Sequence, residues 1–596
     1  KISSSSGSIT CVSVCQATGT LVTGHEKGEI TVWYNVPEWI KANSAVSDDD
    51  TIVYEPPTST IWHWHAHPVQ DLKLSIDGNY LYSGGEEAVL VVWQMQTGIK
   101  AFVPRLGGTI AFIGSSNESS KVAVASMDNC IHIIDTVRLR EEWSMRTLFL
   151  STPTIGSSIN GDLNYVEAFL QSDPSFRCTI KVEPINGYIA CNGYPGQLQS
   201  LQVGRRAVRE THDVALFTRV SRTESKTRMY VPSVTHFDYA KMDSNFFCAT
   251  LDVRRGEHRE SATSLKFWTY RNSGYKLSAQ VENPHGQAKV QAMTLFAGKS
   301  SIGDAICVTG ASNGTVKIWK ATPQQRSSCS RGSADADKND VDRLNWTCAF
   351  SFCHKDCPVT AVAFSADATL LAVTQENIVS IWDPMTVSLK ATLSVPYTNN
   401  ISFCSFLEPH NINEFGAGSG QAYLVAGSGT SLCVFNLLTL QLHWLAQGKF
   451  HSFAVANNEN EALPCNKSHL YIAASILTAS SKQVDGTTDE HNNNVYTNKL
   501  CMFSLDSPVP SALSTLSSHV TSMCFSTGTG NSDEQFEKAN QSGLVCVTES
   551  NELLYITSDD FVETSNGQVV GNVASPSLPT LSVNSSGSNT SKLLLN

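Results

Sequence analysis

Four residues with metal-ligand chemistry, Cys348, Cys353, His354 and Cys357, lie within ten positions of one another. Zinc binding would need these thiolates and the imidazole to converge as a tetrahedron. Their order, a pair with four residues between them and then Cys-His-x-x-Cys, departs from the paired Cys-x-x-Cys arrangement that achieves this. The segment reads as a strand and the loop entering the next one, so no metal site is expected there. Trp62-His63-Trp64-His65-Ala66-His67 alternates at the period of a strand, placing tryptophans on one face and histidines on the other. Three imidazoles on one face are a second metal candidate, but the repeat described below gives His67 a different task. No Gly-x-Ser-x-Gly, Walker loop, His-Glu-x-x-His or kinase signature occurs, and the glycines around Gly416 and Gly420 sit in turns. Neither an enzyme nor a cofactor is expected, and no small-molecule substrate.

Arginines provide the remaining chemistry. Arg205, Arg206, Arg209, Arg219, Arg222 and Arg228 crowd one stretch with Lys226, opposed only by Glu210, Asp213 and Glu224. Arg254, Arg255 and Arg259 form a second group. Arg205, Arg206, Arg209, Arg254 and Arg255 are candidate contacts for an RNA backbone, which is gripped largely by charge. The alternative is an exposed inter-strand loop with solvated charges.

The elements that position these residues follow from a repeat. Thr23 precedes Trp33, Ser83 precedes Trp93 and Thr309 precedes Trp319 by the same ten positions, across a Gly-containing turn. A fourth unit places Asp135 where the others end in Trp, and a fifth ends Ile381-Trp382-Asp383. Each unit reads as a strand, a turn and a second alternating strand. A further strand and turn stand upstream, such as Leu72 to Gly78, with His67 in front. These are WD repeats, in which a His bonds to the hydroxyl and the Trp. Their acidic position holds Lys27, Glu87, Asn129 and Asn313 in turn, so the units have diverged. Four short strands per unit leave no room for crossover helices, and the fold class is all-β: tandem WD-repeat β-propellers.

Units at 1–150 make about three blades, too few to close a ring, and are expected to be the C-terminal blades of a first, incomplete propeller. A linker follows at 151–175. Seven strand groups, at 180–203, 234–268, 290–319, 346–393, 401–435, 450–503 and 520–556, make a seven-bladed second propeller spanning 176–562. The Ser-rich tail at 563–596 is expected to be disordered, and the polar stretches 41–50, 327–342 and 480–498 to be surface loops.

A content of 41% hydrophobic residues supplies the cores this layout needs, and no apolar run is long enough to span a bilayer. Lys1 to Thr10 has no apolar core of a signal peptide and no initiator Met, so a fragment or processed product is expected. Net charge −12 argues against a surface coated with phosphate-binding groups while allowing local patches. The seventeen cysteines fall mostly in strand-like apolar runs, where a free thiol acts as a small hydrophobe, so a reducing compartment is expected.

Two blocks are more particular than a generic repeat. Ser83 to Trp93 is followed by Pro104-Arg105-Leu106-Gly107-Gly108-Thr109-Ile110. Later come Asn345-Trp346-Thr347-Cys348, Leu370-Leu371-Ala372-Val373 and Ile378 to Asp383. With these the chain resembles the WD repeat-containing protein seventy-five family, tandem-propeller subunits of the UtpA (t-UTP) complex. The resemblance implies a scaffold in the small-subunit processome, located in the nucleus and nucleolus. It also implies partners among UtpA proteins and pre-rRNA, and support of pre-rRNA processing and polymerase I transcription. Counterparts of the family's first blades and helical tail are not expected within this sequence. The alternative function is a generic WD adaptor, such as a ubiquitin-ligase substrate receptor or a trafficking coat subunit.

Overall fold

The computed structural model describes residues 7–44, 57–103, 106–116, 120–146, 148, 150, 178–202, 207–215, 231–242, 245–255, 261–271, 274–298, 305–323, 344–398, 400–407, 422–456, 463–464, 469–480, 495–526, 543–550, 552–557, 562–565, 568–569 and 591–593. Alternation builds its strands: Lys121–Ser126 buries every second residue, with Val122 and Val124 inside. Central strands such as Ala305–Ala311 are buried on both faces and read as continuous runs of small and branched residues. Among the described residues no helix is long and apolar enough to cross a membrane.

The described residues divide into two compact units, one before residue 150 and one from Leu150 onward. The first holds three antiparallel four-stranded sheets, blades 1 to 3, at 9–63, 69–103 and 110–146. The second holds seven sheets, blades 4 to 10, at 180–213, 231–282, 290–353, 359–394, 401–447, 449–516 and 520–556, six of them four-stranded and blade 9 six-stranded among the described residues. In most blades the strands lie side by side in chain order. Blade 9 inserts a small hairpin, Leu463–Pro464 with His469–Leu470, between its first two strands.

Neighbouring inner strands are tied by polar side chains that reach the next blade's backbone. Leu74 N donates to Ser13 Oγ (3.0 Å), Ile113 N to Asp71 Oδ2 (2.6 Å) and Leu295 N to Asp238 Oδ2 (3.0 Å). Ile180 N, in blade 4, donates in the same manner to Ser522 Oγ of blade 10 (3.2 Å), so the second unit closes on itself. Sheet faces then bury against each other. Gly84 shows how tight this is: a Cβ there would stand 2.6–2.9 Å from three side-chain atoms of Ile110 in the next blade. Gly310 meets Val359 in the same relation. Gly84→Val is expected to destabilise the first unit by about 3 kcal/mol through overpacking. Denaturant unfolding of that unit checks it, and an unchanged midpoint would refute the contact.

The structure shifts several boundaries. Trp346, grouped above with the blade that follows, belongs to the outer strand Leu344–Cys353 of blade 6. The polar stretch in front of it had hidden the connection. The stretch between Arg205 and Arg228 is not all loop, because Ala207–Asp213 is the outer strand of blade 4. Helix Val36–Ser44 covers the start of the 41–50 stretch, helped by Pro37 and Glu38 in its first turn and Lys41 in its last. Within the tail expected to be disordered, Val562–Ser565 pairs with Ala512–Leu516 of blade 9. Ser591–Leu593 pairs with Leu553–Ile556 and gives blade 10 its fourth strand, covering an otherwise open edge. The 151–175 linker lies outside the described residues, as do most of the other two polar stretches.

Candidate functional site

Blade 2 shows what the repeated residues do. Trp93 Nε1 donates to Ser83 Oγ (2.8 Å), and Ser83 Oγ lies 2.8 Å from His65 Nε2. His65 Nδ1 lies 3.0 Å from Glu87 Oε2, and the backbone N of His67 donates to Glu87 Oε1 (2.9 Å). The histidine of the set is therefore His65, with His67 contributing only its backbone, which corrects the sequence assignment. His65 stands four residues before the inner strand Val69–Leu74, far enough for its ring to reach back over Ser83. Burial pushes the Glu87 carboxyl up, but its bonds to His65 and His67 outweigh this and hold it below the usual range. The Ser–His–Glu connectivity is that of a hydrolase triad. Here Ser83 is fully buried and its oxygen already accepts the indole N–H, so it cannot reach a substrate.

Other blades keep parts of this set. In blade 1 Trp33 Nε1 donates to Thr23 Oγ1 (3.2 Å), while His25 Nε2 bridges Thr23 and Thr31 (3.1 Å each). In blade 6 Trp319 Nε1 donates to Thr309 Oγ1 (3.0 Å), and His285 joins Thr309 (2.8 Å) to Thr315 (3.0 Å). Burial, with Lys317 adding to it, pushes the His285 imidazole down to about 4. The sequence reading missed His285, although Pro284-His285-Gly286 lies just ahead of the inner strand Val290–Ala297. It also missed the bonded pair of blade 5, where Trp268 Nε1 donates to Thr250 Oγ1 (2.9 Å). A buried ion pair, Lys266 to Asp252 at 2.9 Å, lies beside that bond.

Two assigned positions turn out differently. Register places Ile134 at the Trp position of blade 3 and Val124 at the hydroxyl position, both fully buried. Asp135 therefore follows the Trp position rather than replacing it. Its Oδ1 accepts Val137 N (2.9 Å) and Arg138 N (3.0 Å), capping the turn into the outer strand. Asp383, directly after Trp382, does the same for Met385 N (2.9 Å) and Thr386 N (3.2 Å). Trp382 Nε1 donates to Ser380 Oγ (2.9 Å), a hydroxyl on its own strand.

The proposed metal candidates do not assemble. Cys353 Sγ donates to Lys355 O (3.2 Å), Cys348 Sγ to Phe350 O (3.4 Å), and the His354 ring packs edge-on to Trp382. Among the described residues no group of three His, Cys, Asp or Glu is placed to hold a metal. The strand containing Trp62 ends at His63, and Trp62 stacks on Trp93 at 5.2 Å. Of the arginines, Arg205 and Arg206 lie outside the described residues. Arg209 is exposed on the outer strand of blade 4, its Nε donating to Gln202 Oε1 (3.2 Å). Arg254 and Arg255 end the second strand of blade 5, opposite Pro232 and Val231.

Comparison with known proteins agrees with this layout. The family model "WD repeat-containing protein 75 first beta-propeller" matches residues 3–129, and the corresponding second-propeller model matches 181–469. The human WD repeat-containing protein 75 is 27% identical over 449 residues, 74% of this chain and 45% of that protein. U3 small nucleolar RNA-associated protein 17 of Schizosaccharomyces pombe is 23% identical over 431 residues, 68% of this chain and 50% of that protein. NET1-associated nuclear protein 1 of Saccharomyces cerevisiae is 22% identical over 313 residues, 45% of this chain and 34% of that protein. The chain thus spans about half the length of the first two relatives. Both propeller models match in order and each falls on one of the two sets of blades, so the chain belongs to the WD repeat-containing protein 75 family.

Proposed function

We propose that the chain is a non-catalytic scaffold of ribosome biogenesis, acting in the nucleolus within the small-subunit processome. The observation that carries this is the paired propeller match, supported by similarity to a protein named for association with U3 small nucleolar RNA. The geometry supports a scaffold as well, since the hydroxyl, imidazole and indole groups of the repeat are spent on holding blades together. Support of pre-rRNA processing and of polymerase I transcription, and contact with other UtpA proteins, belong to the same proposal. Direct RNA contact is proposed through Arg209, Arg254 and Arg255, with Arg205 and Arg206 nearby in sequence.

The test is recovery of RNA and protein with the tagged, full-length protein. Pre-rRNA, U3 RNA and processome proteins are the expected partners, together with nucleolar fluorescence. Arg209→Glu, Arg254→Glu and Arg255→Glu in one chain should weaken RNA binding without lowering the melting temperature. Each lost phosphate contact should flatten the slope of log affinity against log salt by about 0.7 to 0.9. Nucleolar exclusion with ligase or coat proteins recovered would overturn the reading, and unchanged RNA binding would remove the arginines from it.

A further inference from the structure

Blade 5 is built from longer strands than the blade before it. Its first three, Val231–Met242, Asn245–Arg255 and Ser261–Arg271, have 12, 11 and 11 residues, against 3, 3 and 6 in blade 4. One row across its sheet, Tyr239, Cys248 and Trp268, packs on blade 4. Two residues nearer the hairpin tips the same face carries Lys241, Phe246 and Tyr270, with Tyr275 paired to Tyr270. Lys241 is exposed and the three rings are half-buried. Phe246 meets Tyr270 edge to face at 6.2 Å, and Tyr270 meets Tyr275 in the same way at 5.2 Å. The result is an aromatic ledge along one side of blade 5.

Blade 4 meets this ledge with polar atoms that nothing satisfies. Glu183 is 1% exposed and its Oε2 has no hydrogen-bond partner. The Tyr275 hydroxyl has none either, nor do the two ring nitrogens of His212, which stacks on Tyr275 at 5.1 Å. Glu210 lies two residues from His212 on the outer strand of blade 4 and is exposed. Burial and then the Glu210 charge raise the Glu183 carboxyl, and the Tyr270 hydroxyl with it, while no cation among the described residues offsets them at Glu183. Three lysines of these blades are engaged elsewhere. Lys181 pairs with Asp238 (3.2 Å), Lys266 pairs with Asp252 (2.9 Å), and Lys241 Nζ lies 5.6 Å from the Phe246 ring centre. Two carboxyl groups beside the negative faces of tyrosine rings form a seat for positive charge, and an unpaired buried carboxyl costs stability until that charge arrives.

We infer that the seam of blades 4 and 5 binds an arginine side chain presented by a partner polypeptide. Its guanidinium stacks on the Tyr270 ring and pairs with Glu210, and its charge acts on Glu183 behind them. A planar, weakly hydrated guanidinium suits a seat of rings with several unused acceptors better than an ammonium does. A metal ion fits less well, since no group of three His, Cys, Asp or Glu among the described residues is placed to hold one. Phosphate would be repelled by the two carboxyl groups. The arriving cation favours the ionised form of Glu183, which releases its proton to solvent. Besides Glu210, the groups facing Glu183 are Tyr239, Cys248, Tyr270 and Tyr275, whose hydroxyls and thiol are raised by burial away from neutral pH. His212, stacked on Tyr275, is pushed down to about 4 by burial and stays neutral above that.

The probe is a rhodamine-labelled, capped peptide of Gly-Arg-Gly repeats, titrated with the intact chain by fluorescence anisotropy. A peptide with citrulline for arginine has the same shape without the charge. The arginine peptide is expected to bind about ten-fold more tightly at pH 8 than at pH 6, because the Glu183 carboxyl titrates at about 7 in the unoccupied seam. The citrulline peptide should not bind. Glu183→Gln should abolish the pH dependence. Glu210→Gln and Tyr270→Ala change exposed or half-buried groups, so both variants should fold, and each should weaken binding at pH 8 by about three- to ten-fold. Absence of binding, equal binding of the citrulline peptide, or an affinity unchanged between pH 6 and 8 would overturn the inference. So would arginine binding indifferent to Glu210→Gln and Tyr270→Ala, which would reduce it to attraction between a polycation and a chain of net charge −12.

Discussion

Trp93→Ala is expected to cost the first unit about 3 to 5 kcal/mol, enough to unfold it near physiological temperature. Trp93 is 1% exposed, and its indole serves both junction and blade. Its face stacks on Trp62 of blade 1 at 5.2 Å, and its Nε1 donates to Ser83. Removing it opens a cavity between blades 1 and 2 and takes a donor from a buried hydroxyl that also binds His65. Ser83→Ala removes only the hydroxyl and should cost about 1 to 3 kcal/mol. Calorimetry of the intact chain would show the loss as a lowered transition. Limited proteolysis would show early cleavage within 9–146 while the second unit persists. Equal melting of Trp93→Ala and wild type would mean that the indole network does not hold the unit together.

That network also marks how far the sequence could be read. Spacing of ten residues found Thr23 with Trp33, Ser83 with Trp93 and Thr309 with Trp319, and in each pair the indole donates to that hydroxyl. The spacing works because a constant turn length fixes which residues oppose each other across the hairpin. Where the hairpin changes length, the signal disappears. In blade 5 Thr250 and Trp268 form the same bond across eighteen residues, because both strands run on to the hairpin tip near Arg255 and Ser261. In blade 7 the acceptor has moved to Ser380, on the Trp's own strand. In blade 3 the pair became Val124 and Ile134, an apolar substitution that leaves no polar pattern to find. The histidine was misplaced by two residues for a related reason. Pattern alone cannot distinguish His65 from His67 when both alternate with aromatics, and only the path of the chain after His63 decides.

Buried charge in the second unit gives a further expected result, in which sign matters more than size. Glu183 is 1% exposed and its Oε2 has no hydrogen-bond partner. Burial, with the Glu210 charge adding to it, pushes its carboxyl up to about 7, with the Tyr275 hydroxyl opposing this. An acid raised in this way favours the folded state most below its ordinary 4.5, and that contribution is lost as pH rises through 7. Imidazoles act in the opposite direction. Burial pushes both His212 and His285 down to about 4, so their contribution is full above 6.5 and lost as pH falls through 4. Between 4.5 and 6.5 the two imidazoles outweigh the one carboxyl, so stability still rises there, and Glu183 alone acts from 6.5 to just above 7. Wild-type stability should therefore decline between about pH 6.5 and 7.5. Glu183→Gln should abolish that decline and stabilise the unit at pH 8 by up to about 3 kcal/mol. Its profile should then rise from acid pH and level off. Trp268 fluorescence provides a local reading, since its ring lies 4.3 Å from His212. Urea titrations at several pH values would decide it. A variant with the wild-type slope above pH 6.5 would show that Glu183 is not the group that titrates.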